Sequence, residues 1–220
     1  MKFFLDSAHV HEIEYALDKW QIDGVTTNPR HVQVSGKPFM TAIREIGALF
    51  AGTDKTVSVE VNPHFDNCED MVNEGLKLAA LSPNFVIKLP ATEAGFQAVA
   101  VLKEQGVRTN LTLCFSPMQA LQAMRMGAFF VSPFVGWKES NSEEIVSMIN
   151  EITAIRDNYN FPTQVLVAAI RNARQITEAA LAGADIVTAG FAVYQEGFQH
   201  PYTDMGLGKF QGFWDQTQYE

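Results

Sequence analysis

Short apolar runs alternate with longer stretches of helical periodicity along the chain, which predicts repeated strand–helix units. Phe3-Phe4-Leu5 reads as a strand ended by Asp6-Ser7, and residues 9–20 follow with Val10, Ile13, Leu17 and Trp20 at roughly helical spacing. Residues 24–27 make a second short strand, stopped by Asn28-Pro29, and residues 37–50 read as helix. The β-branched strand 56–61 precedes a helix over 67–81, and the strand 84–89 precedes a helix over 92–105. Three more pairs follow: strand 107–113 with helix 117–126, strand 129–132 with helix 142–157, and strand 164–169 with helix 172–182. Residues 185–188 supply the last strand. Gly106, Gly127 and Gly183 fall where helix C-termini should stop.

Eight strands, mostly followed by helices, imply an α/β fold with a parallel sheet, and that number favours closure into a (β/α)8 TIM barrel. An open, doubly wound sheet usually carries a glycine-rich phosphate turn after its first strand, and here that turn is Asp6-Ser7-Ala8. The closed barrel is therefore expected. No Pro/Gly/Ser-rich linker divides the 220 residues, so residues 1–220 form one expected domain. Residues 202–220, with Leu207, Phe210, Phe213 and Trp214, predict an additional C-terminal helix. Its apolar side chains suit docking on a neighbouring subunit better than packing on its own barrel.

Composition narrows the partners. Hydrophobic residues at 47% supply a sizeable core, and charged residues at 19% argue against disorder. A net charge of −9 disfavours a broad surface for nucleic acid or an anionic membrane, while leaving small anionic substrates open. No apolar run approaches the ~20 residues of a membrane span. The opening Met1-Lys2-Phe3-Phe4-Leu5-Asp6 is too short and too soon acidic for a signal peptide. Cys68 and Cys114 lie far apart without metal spacing, and the five histidines are scattered, so no metal is expected. Free thiols in a reducing cytoplasm are the simplest setting.

Reactive side chains of a barrel sit at the C-terminal ends of its strands. That filter selects Asp6, Asn28, Glu60, Asn62, Lys88, Asn110, Thr112, Ser132 and Arg171, each polar and within or just after an apolar strand. Lys88 stands out, because Val86-Ile87-Lys88-Leu89-Pro90 puts an ammonium between apolar neighbours. Desolvation disfavours a charged amine, and the neutral form is the one that attacks a ketone carbonyl. A structural lysine paired with Glu60 or Asp6 is the simpler use of the same residue. Asp6 and Glu60 offer carboxylates on different strands for proton transfer, although Asp6 could equally cap the following helix. Thr26, Thr27, Asn28, Asn110 and Thr112 supply hydroxyls and amides, which suit a polyhydroxylated ligand.

The chain resembles the transaldolase family, in its short branch with the fructose-6-phosphate aldolases. The resemblance is carried by Phe4-Leu5-Asp6-Ser7, by Asp23-Gly24-Val25-Thr26-Thr27-Asn28-Pro29, and by residues 86–95 from Val86 to Gly95. It continues through residues 109–116, Thr109 to Ser116, and through Val131-Ser132-Pro133-Phe134-Val135-Gly136. It implies a class I enzyme without cofactor in which Lys88 forms a Schiff base and Asp6 is the acid/base for C3–C4 cleavage. Glu60 and Thr112 would hold the water that shuttles protons, Asn28 and Asn110 would bind hydroxyls of the dihydroxyacetone unit, and Ser132 would lie nearby. Phe134 and Glu60 match the transaldolases, where the aldolase branch carries tyrosine and glutamine, which implies transfer rather than free cleavage. The family also implies small-molecule sugar partners and a homo-oligomer, a pentamer or decamer.

One region departs from the family. The arginine that grips substrate phosphate after Phe134-Val135-Gly136 is replaced by Trp137, and a phosphate-binding serine is replaced by Ala169, while Arg171 is retained. Arg30-His31 follows Asn28-Pro29, where the family has small or apolar residues. Losing a bidentate guanidinium weakens phosphate binding. Arg30, His31, Trp137, Arg171 and Asn172 are then the expected anion site, suited to a monoanionic sulfonate. In these segments the chain is similar to sulfoglycolytic members of the family, which act on 6-deoxy-6-sulfofructose, release 3-sulfolactaldehyde and pass dihydroxyacetone to glyceraldehyde 3-phosphate. An ordinary transaldolase or fructose-6-phosphate aldolase shares the chemistry and differs only at this anion site.

Overall fold

The computed structural model of the chain describes residues 1–219. Eight parallel strands close in chain order into a barrel: β1 (Lys2–Asp6), β2 (Gly24–Thr26), β3 (Thr56–Glu60), β4 (Phe85–Pro90), β5 (Thr109–Cys114), β6 (Phe130–Pro133), β7 (Gln164–Ile170) and β8 (Ile186–Ala189). β8 pairs back on β1, with Phe4 opposite Thr188. The fold is a TIM barrel with a further helix at its C-terminal end.

Strand residues alternate between two faces, and here the even-numbered ones point inward. Phe4, Val86, Phe130, Leu166 and Ile186 plug the interior, with Phe4 and Phe130 edge-to-face at 5.9 Å. One step toward the C-terminal ends, the same inward positions turn polar: Asp6, Thr26, Glu60, Lys88, Thr112, Ser132 and Thr188. Odd-numbered residues such as Leu5, Val25, Val59, Ile87, Leu89, Leu111, Val131, Val165 and Val187 face the helices and join the main apolar core. The apolar plug thus forms a floor, and the polar ring above it forms the site.

Two bulges interrupt the alternation. The register shifts between Leu111 and Cys114 in β5 and between Val167 and Ile170 in β7. Leu113 and Ala169 there take positive φ values of 55° and 58°. Such backbone is costly for residues with a Cβ and clusters at functional sites. Its effect is local: Leu113 and Ala169, both odd-numbered, turn to line the cavity.

The helices begin and end on the expected chemistry. Asn67, Thr92, Ser116 and Asn172 cap α4 (Cys68–Ala79), α5 (Glu93–Glu104), α6 (Pro117–Met126) and α9 (Ala173–Leu181). Gly106, Gly127 and Gly183 have φ of 75°, 83° and 77°, the left-handed conformation that ends a helix. Several elements differ from the sequence expectation. Residues 9–20 divide into α1 (Val10–Tyr15) and a π-helical turn (Ala16–Trp20), which brings Trp20 onto Phe191 with ring centroids 4.6 Å apart. Asn28-Pro29 starts a helix as well as stopping a strand: Asn28 caps α2 (Pro29–Val34), and Pro29 occupies its first turn. α3 (Phe39–Leu49) follows it. The expected helix 142–157 is α8 (Val146–Asn158), preceded by the short α7 (Gly136–Ser140). α10 (Phe191–Gly197) follows β8 without having been expected, and its Tyr194 hydroxyl donates to the Phe4 carbonyl at 2.9 Å.

The tail forms α11 (Pro201–Trp214). None of its residues is buried, and Tyr202, Phe210, Phe213 and Trp214 are each more than 60% exposed.

Candidate active site

A cavity of ≈ 380 Å³ opens at the C-terminal ends of the strands. Lys88 lies in its floor and is only 4% exposed. The register sets its company: Glu60 is its Cα partner on β3 and Asn110 its partner on β5. The Lys88 ammonium lies 3.1 Å from Glu60 Oε2 and donates to the Thr27 carbonyl at 3.2 Å. A buried ammonium needs such partners. The Thr112 hydroxyl lines the same cavity, is buried, and has no hydrogen-bond partner among the described residues. It is free to bond a bound molecule, as buried hydroxyls normally must.

Asp6 approaches from β1 and is held on both oxygens. Oδ1 accepts from the Thr26 hydroxyl at 2.7 Å, and Oδ2 lies 3.1 Å from His31 Nε2. Thr26 has one hydroxyl proton and spends it on Asp6, so the 2.7 Å contact between the Thr26 and Thr188 hydroxyls has Thr188 as donor. Burial pushes the Asp6 carboxyl up, but the His31 hydrogen bond and charge, the Lys88 ammonium and the Thr26 hydroxyl outweigh it. Asp6 is thereby held below its ordinary value and stays a carboxylate. It does not cap a helix.

On the far wall, Ser132 donates to Asn110 Oδ1 at 2.8 Å, and Asn110 Nδ2 donates to Ser58 at 3.0 Å. Ser132 lines the cavity while Asn110, fully buried, stands behind it and fixes it. Thr27 likewise lies outside the lining; its hydroxyl donates to the Ser58 carbonyl at 2.8 Å. Asn28 does line the cavity, with its oxygen occupied by the His31 N–H at 3.0 Å. Asn62 is turned away, its Oδ1 accepting from the His64 N–H.

The rim carries the expected anion residues except one. Arg30, His31, Trp137 and Arg171 line the cavity, whereas Asn172 caps α9 by accepting from the Gln175 N–H and does not. Neither Arg30 nor Arg171 pairs with a carboxylate among the described residues. Trp137 is half-exposed and packs against Phe115 and Phe134, each ring 5.8 Å away. Arg171 crosses closely over Gly136: a Cβ there would meet its Nε at 2.8 Å and the Ala169 carbonyl at 2.2 Å. His31 was expected in the anion group, and its ring in fact meets Asp6.

Two further residues contribute to the site. Thr188 satisfies the same filter, being a polar residue at an inward position of an apolar strand, and it completes the chain to Asp6. Gln175 is fully buried; it accepts from the Arg171 N–H at 2.7 Å and donates to Glu139, tying α7 to the loop that carries Arg171. No local signal marks it.

A closed barrel with a buried lysine, two carboxylates and, among the described residues, guanidiniums without a carboxylate partner around one mouth is the arrangement of a TIM-barrel enzyme. The family model described as transaldolase/fructose-6-phosphate aldolase matches residues 3–218, and the chain belongs to that family. It is 56% identical over 221 residues to the 6-deoxy-6-sulfo-D-fructose transaldolases of Priestia aryabhattai and Priestia megaterium, covering 100% of this chain and 98% of theirs. It is also 43% identical over 217 residues to a probable transaldolase of Dictyoglomus turgidum, with 99% of each chain covered.

Proposed function

We propose that the chain is a Schiff-base transaldolase that cleaves the C3–C4 bond of 6-deoxy-6-sulfofructose and passes the dihydroxyacetone unit to an aldehyde acceptor. The carrying observation is the buried Lys88–Glu60 pair at 3.1 Å, opening into the cavity that Asp6 and the unpartnered Thr112 hydroxyl share. Glu60 is within reach to take a proton from Lys88, whose amine then attacks the C2 ketone. Loss of water from the carbinolamine gives an iminium, with Thr112 and Glu60 holding the water that carries the protons. Asp6 removes the C4 hydroxyl proton, the C3–C4 bond breaks, and its electron pair moves into an enamine. 3-Sulfolactaldehyde leaves. The enamine then attacks the acceptor, glyceraldehyde 3-phosphate in this reading, Asp6 returns the proton, and hydrolysis frees Lys88.

Ser132, backed by Asn110, and the Asn28 amide face the dihydroxyacetone unit, and Phe134 closes the apolar side. The choice of donor rests on the rim and on the names borne by the 56% identical relatives. Arg30 and Arg171 supply charge, and Trp137 supplies an apolar wall with one N–H donor, which suits a monoanionic tetrahedral head. Steady-state kinetics test this: kcat/KM should be higher for 6-deoxy-6-sulfofructose than for fructose 6-phosphate. The opposite order would assign the enzyme to phosphorylated sugars.

The apolar face of α11 is read as a contact between copies of this chain, in keeping with the homo-oligomers of the family. No helix among the described residues is long and apolar enough to cross a membrane. The two cysteines are unpaired, so we place the enzyme in the cytoplasm.

A further inference from the structure

We propose that His31 is a positioning residue for Asp6: it fixes the plane of the carboxylate and keeps it ready to accept the C4 hydroxyl proton. The proposal rests on the reading of Asp6 as the acid/base.

His31 is anchored twice. Its backbone N–H donates to Asn28 Oδ1 at 3.0 Å in the first turn of α2, and its ring Nε2 reaches Asp6 Oδ2 at 3.1 Å. In any protonation state in which Nε2 carries hydrogen, the ring donates to Oδ2. Thr26 holds the other oxygen at 2.7 Å. Two donors from different elements leave the carboxylate no free rotation, and the lone pairs that remain are those available to the cavity. Asn28, which faces the sugar, and Asp6, which would take its proton, are thus coupled through one residue.

The surroundings favour this role over a purely anion-binding one. Asp6 is faced by His31 from α2, Thr26 from β2 and Lys88 from β4, and Thr188 of β8 reaches it through Thr26. Glu60 of β3 is engaged with Lys88. Tyr194 of α10 is raised first by its own burial and then by the nearby Asp6 and Asp23 charges, so it stays a neutral phenol. The iminium keeps a positive charge on Lys88 Nζ until the C3–C4 bond breaks, but that nitrogen is then bonded to the substrate. His31 opposes the cost of the desolvated carboxylate while also donating to it directly. Only its Nδ1 edge remains to meet a substrate anion.

The test uses the full-length enzyme with His31→Ala and His31→Gln, and with Asp6→Ala as a control. Three readouts are compared: borohydride trapping of the intact donor ketose as its imine on Lys88, the rate of donor cleavage, and the pH profile of kcat/KM. The donor is 6-deoxy-6-sulfofructose or fructose 6-phosphate, whichever the wild type cleaves faster. His31→Ala should leave trapping intact, slow cleavage about 10- to 100-fold, the range of one hydrogen bond to a charged group, and move the acidic limb to higher pH. The sign follows because removing a partner that favours the carboxylate raises the Asp6 pKa. His31→Gln, which can donate but carries no charge, should recover part of the rate. If His31→Ala raises KM while kcat and the acidic limb stay at wild-type values, His31 is an anion ligand only and the proposal is overturned. Wild-type behaviour of His31→Ala beside an inactive Asp6→Ala also overturns it, leaving the acid/base reading intact. Normal cleavage by Asp6→Ala removes the acid/base reading itself, and this proposal with it.

Discussion

Glu60 and Lys88 are register partners on adjacent strands, and their charges meet at 3.1 Å inside the barrel. Parallel pairing places the two side chains on the same inward face at the same height, so the contact follows from the ladder itself. A base beside an amine, closed off from solvent, is what carbinolamine chemistry requires.

Replacing the amine separates chemistry from stability. Lys88→Met keeps the length and removes the nucleophile, so turnover should fall to background and no borohydride adduct should form. Far-ultraviolet circular dichroism should still report a folded barrel. Turnover near wild type would rule out the Schiff base on Lys88.

Trp137 stands on the cavity rim beside Arg171 and Gly136, and in the proposed function it takes the part of a phosphate-binding arginine. Trp137→Arg should therefore raise the ratio of kcat/KM for fructose 6-phosphate over 6-deoxy-6-sulfofructose by about 10- to 100-fold, the value of a charge-assisted hydrogen bond or two. An unchanged ratio would show that the rim indole does not select the anion.

Asp6 links the site to acid stability. Its folded pKa lies below the ordinary 3.8, so the folded state binds fewer protons than the unfolded chain near that pH. The contribution of Asp6 is complete above the unfolded value and disappears as pH falls through the lower folded one. Melting temperatures of wild type and Asp6→Asn should differ more near neutrality than at strongly acidic pH. A difference that is constant across the whole range would contradict the depressed pKa.

α11 exposes Tyr202, Phe210, Phe213 and Trp214 together. Apolar groups in that number usually mark an interface. Removing residues 201–220 should lower the assembled mass measured by light scattering while the barrel keeps its circular dichroism. An unchanged mass would place the contact between copies elsewhere.

Much of the architecture was legible because its signals are local. The strands over residues 3–5 and 56–61 and the helix over 117–126 read correctly from periodicity, since each element turns its own apolar face inward or outward. Asn28-Pro29 misled for a physical reason: the same pair ends a strand and begins a helix, and only the cap bond to the His31 N–H decides that both happen. α10 has no such local signal, because its burial depends on Tyr194 reaching back to the Phe4 carbonyl, 190 residues away. Lys88, Asp6, Glu60 and Thr112 line the cavity where the polar-in-apolar pattern puts them, and Thr188 fits the same pattern.

The sequence by itself determined that eight strands alternate with helices, which positions face inward, and where an ammonium must be buried. Those properties depend on periods of two and of 3.6 residues, which a linear chain displays. Tertiary structure alone decided the partners. It put Asn110 behind Ser132 rather than in the cavity lining, sent Asn172 to a helix cap, and brought His31 to Asp6. It also joined Thr188, Thr26 and Asp6 from three strands into one chain of hydrogen bonds. The reason is that a hydrogen bond depends on separations of about 3 Å between atoms, and barrel closure sets those separations between residues far apart in the chain.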